Sequence, residues 1–144
     1  MPDLRYERFR GGHYAVFTMD RPDRLNAQGA AMREELREAL DEFTADSEMR
    51  VGILTGAGRA FSAGADLKEM TDLYDTLASL TEEQRIEGYW GNQPFGRNPK
   101  PFVAAVNGLA IGAGMERATD CDIRIASTDA YFGLFEVKRG IMAN

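Results

Sequence analysis

The sequence predicts an α/β fold, in which strands and helices alternate along one domain of 144 residues. Short apolar runs bounded by turn residues predict buried strands at Leu4–Phe9, Tyr14–Met19, Val51–Thr55 and Phe102–Val106. An apolar stripe at helical spacing predicts a core-facing helix through Met32, Leu36, Leu40 and Phe43. A glycine-rich segment after the last of these strands, Gly112-Ala113-Gly114, predicts the start of another helix.

The first two strands form a predicted hairpin across Arg10-Gly11-Gly12-His13, which has turn chemistry. His13 is the only histidine, and we expect it to be solvated at the edge of this turn. A Ser-His mechanism or a histidine-rich metal site would have to rest on it alone. Because the chain also lacks a Gly-x-Ser-x-Gly motif, a serine hydrolase is disfavoured.

Composition narrows the classes of partner. The net charge of -6 and the absence of a Lys/Arg block argue against a nucleic-acid surface. The N-terminus lacks an apolar signal segment, and no apolar run is long enough to span a bilayer. We therefore expect a soluble, cytoplasmic protein without nucleic-acid or membrane partners.

Cys121 is the only cysteine, which excludes an internal disulfide and predicts a small buried apolar residue.

Two predicted helix entrances stand out. The strand at Val51–Thr55 ends in Gly56-Ala57-Gly58, but Phe61 occupies the third glycine position of a dinucleotide-binding motif, so we reject that site. The loop continues through Ala63-Gly64-Ala65-Asp66 to a helical pattern at Leu67, Met70, Leu73, Tyr74 and Leu77. The second entrance is Gly112-Ala113-Gly114, with Glu116 in the following turn. Helix starts carry unpaired backbone N–H groups, so each entrance is a candidate anion site.

The remaining segments complete the predicted pattern. Thr81-Glu82-Glu83-Gln84 has capping-box spacing and predicts a helix with Ile86, Tyr89 and Trp90. Pro94, Pro99 and Pro101 then interrupt regular structure. Short strands are predicted at Asp122–Ala126 and Tyr131–Gly133, followed by Glu136 on a loop. The order strand-strand-helix thus recurs loosely.

These motifs resemble the enoyl-CoA hydratase/isomerase family, also called the crotonase family. The resemblance rests on Arg21-Pro22 through Leu25-Asn26-Ala27, Arg59 through Leu67, Lys100-Pro101 through Glu116, Cys121-Asp122, Phe132-Gly133 and Glu136. It implies a crotonase (ClpP/crotonase-like) fold of repeated ββα units, with one core domain over residues 1–144. The family fold runs on for nearly as many residues again, so we expect the C-terminal part of the fold to be absent from this chain.

The resemblance implies reversible addition of water to a trans-2-enoyl-CoA thioester. The N–H groups of Ala65 and Ala113 would form an oxyanion hole, Glu116 would activate the water that attacks C3, and Glu136 would supply the proton at C2. Many relatives have glycine where this chain has Ala113, so its methyl group requires a right-handed backbone. Two alternatives stay open: another acyl-CoA enzyme of the family, such as an isomerase, or a noncatalytic fragment that binds acyl-CoA or assembles with partners.

Further contacts follow from the same resemblance. Basic residues of the Arg21–Asn26 loop would lie near the phosphates of coenzyme A, and Tyr89, Trp90 and Phe95 are candidate walls of the acyl pocket. No metal and no cofactor are expected, because coenzyme A is part of the substrate. A homo-oligomer, either a trimer or a dimer of trimers, is expected from the family. The residues implied in substrate binding are Arg24, Ala63, Gly64, Asp66, Leu67 and Gly112.

Overall fold

A computed structural model of the chain describes residues 1–69, 81 and 94–139. The predicted helix after Asp66 begins at residues 67–69, and its remainder lies outside the described residues, as does the helix predicted after Thr81. The α-helices with both ends in the described residues are α1 (Ala30–Ala45) and α2 (Ala113–Asp120), and 3-10 helices lie at Arg10–Gly12, Pro22–Arg24 and Glu136–Arg139. The strands are β1 (Leu4–Phe9), β2 (Tyr14–Met19), β3 (Val51–Gly56), β4 (Ala60–Ser62), β5 (Phe102–Val106), β6 (Leu109–Ile111), β7 (Ile123–Ala126) and β8 (Tyr131–Gly133).

The strands form a five-stranded sheet in the order β1-β2-β3-β5-β7 and a three-stranded sheet in the order β4-β6-β8. The hairpin β1-β2 is antiparallel, and the other recorded pairs of both sheets are parallel. From β3 onward, each consecutive pair of strands places its first member in the larger sheet and its second in the smaller one. This alternation confirms the predicted α/β fold of repeated strand-strand-helix units.

Two strands of the smaller sheet, β4 and β6, were not predicted. Each is only three residues long and has glycine within two residues on both sides, so local pattern gave no strand signal. Their pairing with each other is a tertiary contact, with Ala60 opposite Leu109 and Ser62 opposite Ala110. Glu136, predicted on a loop, begins a 3-10 helix instead.

The core lies between α1 and the larger sheet. The predicted helical stripe is buried, with Met32, Leu36, Leu40 and Phe43 all facing inward. The ring of Phe17 lies 5.5 Å from that of Phe43 and 5.4 Å from that of Phe102, both measured between ring centroids. Gly52 makes room for this aromatic cluster, because a Cβ at that position would collide with the Phe102 ring.

His13 lies at the edge of the larger sheet where β2 and β3 begin. It adopts a left-handed conformation with φ of 56°, and its Nδ1 atom is hydrogen-bonded to the Glu48 carbonyl at 2.8 Å. The residue is half-buried rather than fully solvated, because it joins the hairpin turn to the loop after α1.

None of the described helices combines the length and the apolar character needed to span a bilayer.

The aromatic cluster generates a stability prediction. Phe17 is fully buried, so Phe17→Ala should lower the free energy of unfolding by about 3–5 kcal/mol. Phe9 on β1 is 41% exposed and stacks on Tyr14, so the matched Phe9→Ala variant should lose about 1 kcal/mol or less. Urea unfolding of both variants measures the difference. Equal losses would show that the cluster is not the centre of the core.

Cys121 generates a pH-dependence prediction. Its side chain is buried, and the thiol donates to the Arg117 carbonyl at 3.4 Å. Burial, assisted by the negative charges of Asp120 and Asp122, raises the pKa of the thiol to about 12, from an ordinary value of 9.0. The unfolded chain therefore ionises first, so the stabilising contribution of the neutral thiol is complete below pH 9 and is lost as pH rises toward 12.

The measurement compares the native chain with Cys121→Ala. The difference between their free energies of unfolding should shrink by about 1 kcal/mol between pH 9 and pH 10. Iodoacetamide should also modify the native thiol far more slowly than the thiol of the urea-unfolded chain. A pH-independent difference would contradict the raised pKa.

Candidate active site

The first helix entrance follows β4 and is held by Asp66. This side chain caps the helix, since its Oδ1 atom accepts a hydrogen bond from the Lys68 N–H at 3.2 Å. Its Oδ2 atom accepts from Nη2 of Arg21 at 3.1 Å. Asp66 is only 6% exposed, so its carboxylate is used within the fold. The backbone of Asp66 is also used within the fold, since its N–H donates to the Gln28 carbonyl and its carbonyl accepts from the Glu69 N–H.

The orientation of the Ala65 N–H follows from a short parallel bridge with Gln28. The Gln28 N–H donates to the Gly64 carbonyl at 2.8 Å, and the Asp66 N–H donates to the Gln28 carbonyl at 3.1 Å. The Gly64 carbonyl and the Ala65 N–H belong to one trans peptide, so they point in opposite directions. The Ala65 N–H is therefore directed away from Gln28. It has no hydrogen-bond acceptor within the described segments.

The second entrance joins β6 to α2 through Gly112. Its φ of 55° and ψ of -128° are accessible to glycine and costly for other residues. The Gly112 N–H donates to the Gly133 carbonyl at 2.9 Å, and the Gly112 carbonyl accepts from the Glu116 N–H at 3.0 Å. The positive φ therefore falls on Gly112, and Ala113 has the right-handed backbone that its methyl group requires. In the part of the chain that the structure describes, the Ala113 N–H has no acceptor.

The two entrances are in direct contact. A Cβ on Gly64 would lie 2.7 Å from the Ile111 carbonyl oxygen and 3.2 Å from the Ala113 nitrogen. Gly64 also has a φ of 93°, so a side chain there is excluded by conformation as well as by space. A Cβ on Gly114 would collide with the Ser62 carbonyl. The segments that carry the Ala65 and Ala113 N–H groups therefore pack backbone to backbone.

The two predicted acidic residues both contact Gly112, Glu116 through its backbone N–H and Glu136 through its carboxylate. Glu116 is half-buried in the first turn of α2, where the helix dipole favours a negative charge. The Oε1 atom of Glu136 lies 2.8 Å from the position of a Cβ built on Gly112. Its Oε2 atom is buried and has no hydrogen-bond partner among residues 1–69, 81 and 94–139. A buried carboxylate oxygen left without a partner is costly and is typical of a functional group.

The residues predicted to contact coenzyme A are of two kinds: some are exposed, and others are bonded within the fold. Arg24 is exposed, and Leu67 has 57% of its surface exposed, so both can reach a ligand. Arg21 is instead used within the fold: it pairs with Asp66 and, at 3.4 Å, with Asp3, and it donates to the Ala27 carbonyl at 2.9 Å. Ala63 is half-buried between β4 and Gly64. Arg24 is thus the better placed of the two arginines.

A buried polar network behind the entrances was not predicted. Asn26 donates to the carbonyls of Ala57 and Ala60 at 2.9 and 2.8 Å, and its own carbonyl accepts from the Ser62 hydroxyl at 2.8 Å. Gln28 bonds to Ser62, Ala113 and Arg117. Asn26, Gln28 and Ser62 are each less than 5% exposed. Asn26 and Ser62 lie within the motifs of the family resemblance, whereas Gln28 follows the first motif and no sequence signal marked it.

Arg117 lies at the edge of this network. Burial lowers the pKa of its guanidinium, while Asp120 and Glu116 act in the opposite direction. A guanidinium remains charged under any working condition, so burial strengthens its need for acceptors. It contributes a fixed donor to the network.

Of the three predicted walls of the acyl pocket, the structure describes Phe95. Tyr89 and Trp90 fall outside the described residues. Phe95 is buried with its ring 4.9 Å from that of Phe102, which makes it part of the core. In residues 1–69, 81 and 94–139, no group of three or more His, Cys, Asp or Glu side chains could hold a metal ion.

Comparison with known proteins gives consistent matches. The family model described as enoyl-CoA hydratase/isomerase matches residues 11–144. The short-chain-enoyl-CoA hydratase of Clostridium acetobutylicum is 46% identical over 134 residues, covering 90% of this chain and 49% of that protein. The mevalonyl-coenzyme A hydratase of Aspergillus fumigatus is 41% identical over 131 residues, covering 91% of this chain and 47% of that protein.

Solved structures that are similar to this chain include enoyl-CoA hydratases. The crystal structure of an enoyl-CoA hydratase from Thermoplasma volcanium superposes with a TM-score of 0.84 at 31% identity, covering 99% of this chain and 55% of that one. The chain therefore spans about half the length of the relatives it matches. Because the family model matches nearly all of the sequence and the two-sheet architecture superposes on family structures, this protein belongs to the enoyl-CoA hydratase/isomerase family.

Proposed function

We propose that this chain carries the oxyanion hole and the acid–base pair of a hydratase that acts on trans-2-enoyl-CoA thioesters. The observation that supports the proposal most directly is the pair of backbone N–H groups at Ala65 and Ala113. They lie on contacting segments, and neither has an acceptor in the described part of the chain. A thioester carbonyl oxygen is the kind of acceptor that two convergent backbone donors bind.

The proposed chemistry begins with polarisation of the thioester carbonyl. As water adds to C3, the electrons of the double bond move through C2 to the carbonyl oxygen, which becomes an enolate. Two preorganised N–H donors favour this negative charge over the neutral carbonyl. Loss of one such donor typically costs about 10² to 10³ in rate, so the two entrances would supply a large part of catalysis.

Glu116 and Glu136 would move the protons. Glu116 accepts a proton from the attacking water as the water oxygen bonds to C3. Glu136 donates a proton to C2 as the enolate collapses. Each positioned acid or base of this kind contributes about 10² to 10⁴ in rate. The burial of the Glu136 Oε2 atom without a partner in the described residues supports a role at the reacting atoms. All of these groups belong to the chain, so we propose no metal or redox cofactor, with coenzyme A part of the substrate.

Hydration is favoured over isomerisation by two observations. Both glutamates are present beside Gly112, which provides one group for water and one for C2. The two curated relatives described above are also both named as hydratases. An isomerase would move the double bond without incorporating water, and a noncatalytic fragment would bind the thioester without turnover.

Substitution of the two glutamates tests the reaction. Glu116→Gln and Glu136→Gln should each lower the rate of hydration of crotonyl-CoA by about 10² to 10⁴. The rate is followed as loss of absorbance at the enoyl-thioester band, with incorporation of ¹⁸O from labelled water measured by mass spectrometry. Glu48→Gln, at an exposed position after α1, is the matched control and should retain the native rate.

The outcomes separate the candidate functions. Loss of the band with ¹⁸O incorporated supports the hydratase, and a shifted double bond without ¹⁸O indicates the isomerase. A folded protein that binds crotonyl-CoA but leaves the band unchanged would be a binding module and would overturn the proposed activity of this chain.

Arg24 tests the proposed contact with coenzyme A. Arg24→Gln should raise KM for crotonyl-CoA by about fivefold, as expected for loss of one exposed ion pair with a phosphate, and should leave kcat unchanged. With crotonyl-pantetheine, which lacks the nucleotide phosphates, the substitution should have no effect. Arg50→Gln, which removes another exposed arginine, just before β3, is the control. Equal effects on both substrates would rule out a phosphate contact.

A further inference from the structure

We infer that Gln28 is a positioning residue that couples the two helix entrances and fixes the mutual geometry of the Ala65 and Ala113 N–H groups. The use of those donors in catalysis rests on the proposed function. The coupling itself rests on hydrogen bonds within the fold and can be measured without turnover.

Gln28 holds the first entrance through its backbone. Its N–H donates to the Gly64 carbonyl at 2.8 Å, and its carbonyl accepts from the Asp66 N–H at 3.1 Å. These two bonds bracket Ala65 and set the plane of the peptide that carries its N–H. They do not depend on the Gln28 side chain.

Gln28 holds the second entrance through its side chain. Its Nε2 atom donates to the Ala113 carbonyl at 3.4 Å and to the Ser62 hydroxyl at 3.2 Å, while its Oε1 atom accepts from Nε of Arg117 at 3.2 Å. The orientation of the amide is determined, because a carbonyl can only accept and a guanidinium can only donate. We call Gln28, Ser62, Arg117 and the Ala113 carbonyl the amide clamp.

Ser62 links the amide clamp back to the first entrance. Its hydroxyl accepts from Nε2 of Gln28 and from the Gly64 N–H, each at 3.2 Å, and it donates to the Asn26 carbonyl at 2.8 Å. Two peptide groups flank the Gly64 Cα. The Ser62 hydroxyl therefore holds the one before it, through the Gly64 N–H, and the Gln28 N–H holds the one after it, through the Gly64 carbonyl. Among the described residues, Gln28 is the one that hydrogen-bonds to both donor segments.

Burial makes the amide clamp specific. Gln28 is 4% exposed and Ser62 is 0% exposed, so each polar atom must keep its partner or lose a hydrogen bond without water to replace it. An apolar residue of similar length could fill the same space without this requirement. The amide of Gln28 therefore fixes one arrangement of the two entrances, whereas an apolar side chain would only fill the same volume.

Gln28→Met tests the inference because it keeps the backbone bonds and the approximate volume but removes the amide. We expect an asymmetric effect: the Ala113 amide should lose order, and the Ala65 amide should keep most of it. In the unliganded protein, ¹⁵N order parameters of the two amides measure this directly. Lys100→Met is the matched control, since it removes hydrogen bonds of 2.6 Å to the Phe43 and Asp46 carbonyls and contacts neither entrance.

A bound thioester provides the second measurement. Butyryl-CoA labelled with ¹³C at the carbonyl cannot be hydrated, and hydrogen bonds from the two donors should lower its carbonyl stretching frequency in infrared spectra. Gln28→Met should reduce this frequency shift, while Lys100→Met should retain it. With crotonyl-CoA, Gln28→Met should lower kcat by about 10- to 100-fold, because a donor displaced by about 1 Å loses about that much, and should change KM by less than about threefold.

The outcomes distinguish this inference from the proposed function. A native frequency shift and a native kcat in folded Gln28→Met would overturn the positioning role and leave the oxyanion hole intact. If butyryl-CoA binds the native protein without a frequency shift, the proposed oxyanion hole fails, and the order parameter of Ala113 alone decides the inference: a decrease supports it and no change overturns it. If Gln28→Met does not fold, Gln28→Glu provides the same comparison, since it keeps the acceptor for Arg117 and removes the donor.

Discussion

The close approach of two backbone segments at Gly64 and Gly112 is the constraint on which the site depends. A Cβ on Gly64 would lie only 2.7 Å from the Ile111 carbonyl oxygen, closer than a side chain tolerates, and 3.2 Å from the Ala113 nitrogen. Gly114 faces the Ser62 carbonyl in the same way. Packing at this distance places two helix starts side by side, with the carbonyls before the two N–H groups bonded to Gln28 and Glu116. Within the described residues, neither the Ala65 nor the Ala113 N–H has an acceptor.

The smaller sheet brings these segments together. Because β4 and β6 are parallel neighbours, their carboxyl ends lie at one edge, and the chain leaves both ends toward a helix. Each strand is too short to be stable by itself, so its place depends on the larger sheet and on the polar contacts of Asn26 and Ser62. The buried polar network thus supports the register that the site requires.

The sequence predicted the parts of the fold that are locally encoded. The strands of the larger sheet and the stripe of α1 were predicted to within about a residue or two, because burial imposes a clear apolar pattern on them. The positions of Ala65 and Ala113 at helix entrances were confirmed, because glycine patterns mark such turns. Their catalytic roles stay predictions, as do those of Glu116 and Glu136, the homotrimer and the cytoplasmic location.

The roles of some residues could not be predicted from the sequence, because they depend on partners that are distant in the chain. Arg21 looked equivalent to Arg24, yet Arg21 pairs with Asp66, which lies 45 positions away in the chain. Gln28 contacts the Ala113 carbonyl across 85 positions and Arg117 across 89, so no local pattern identifies it. Residues whose role is set by such partners cannot be recognised before the two strands of the smaller sheet are known to pair.

The proposed acid and base differ in how the fold supports them. Glu116 lies on α2, whose Gly114 and Ala118 are buried against the core. Glu136 follows β8 and is joined to the second entrance by the bond from the Gly112 N–H to the Gly133 carbonyl. Around it the apolar side chains of Tyr131, Phe132, Leu134 and Val137 are exposed in the structure. Within the described residues, the segments proposed to form the oxyanion hole and to carry Glu116 therefore pack against buried neighbours, whereas the segment that carries Glu136 has more exposed apolar surface around it.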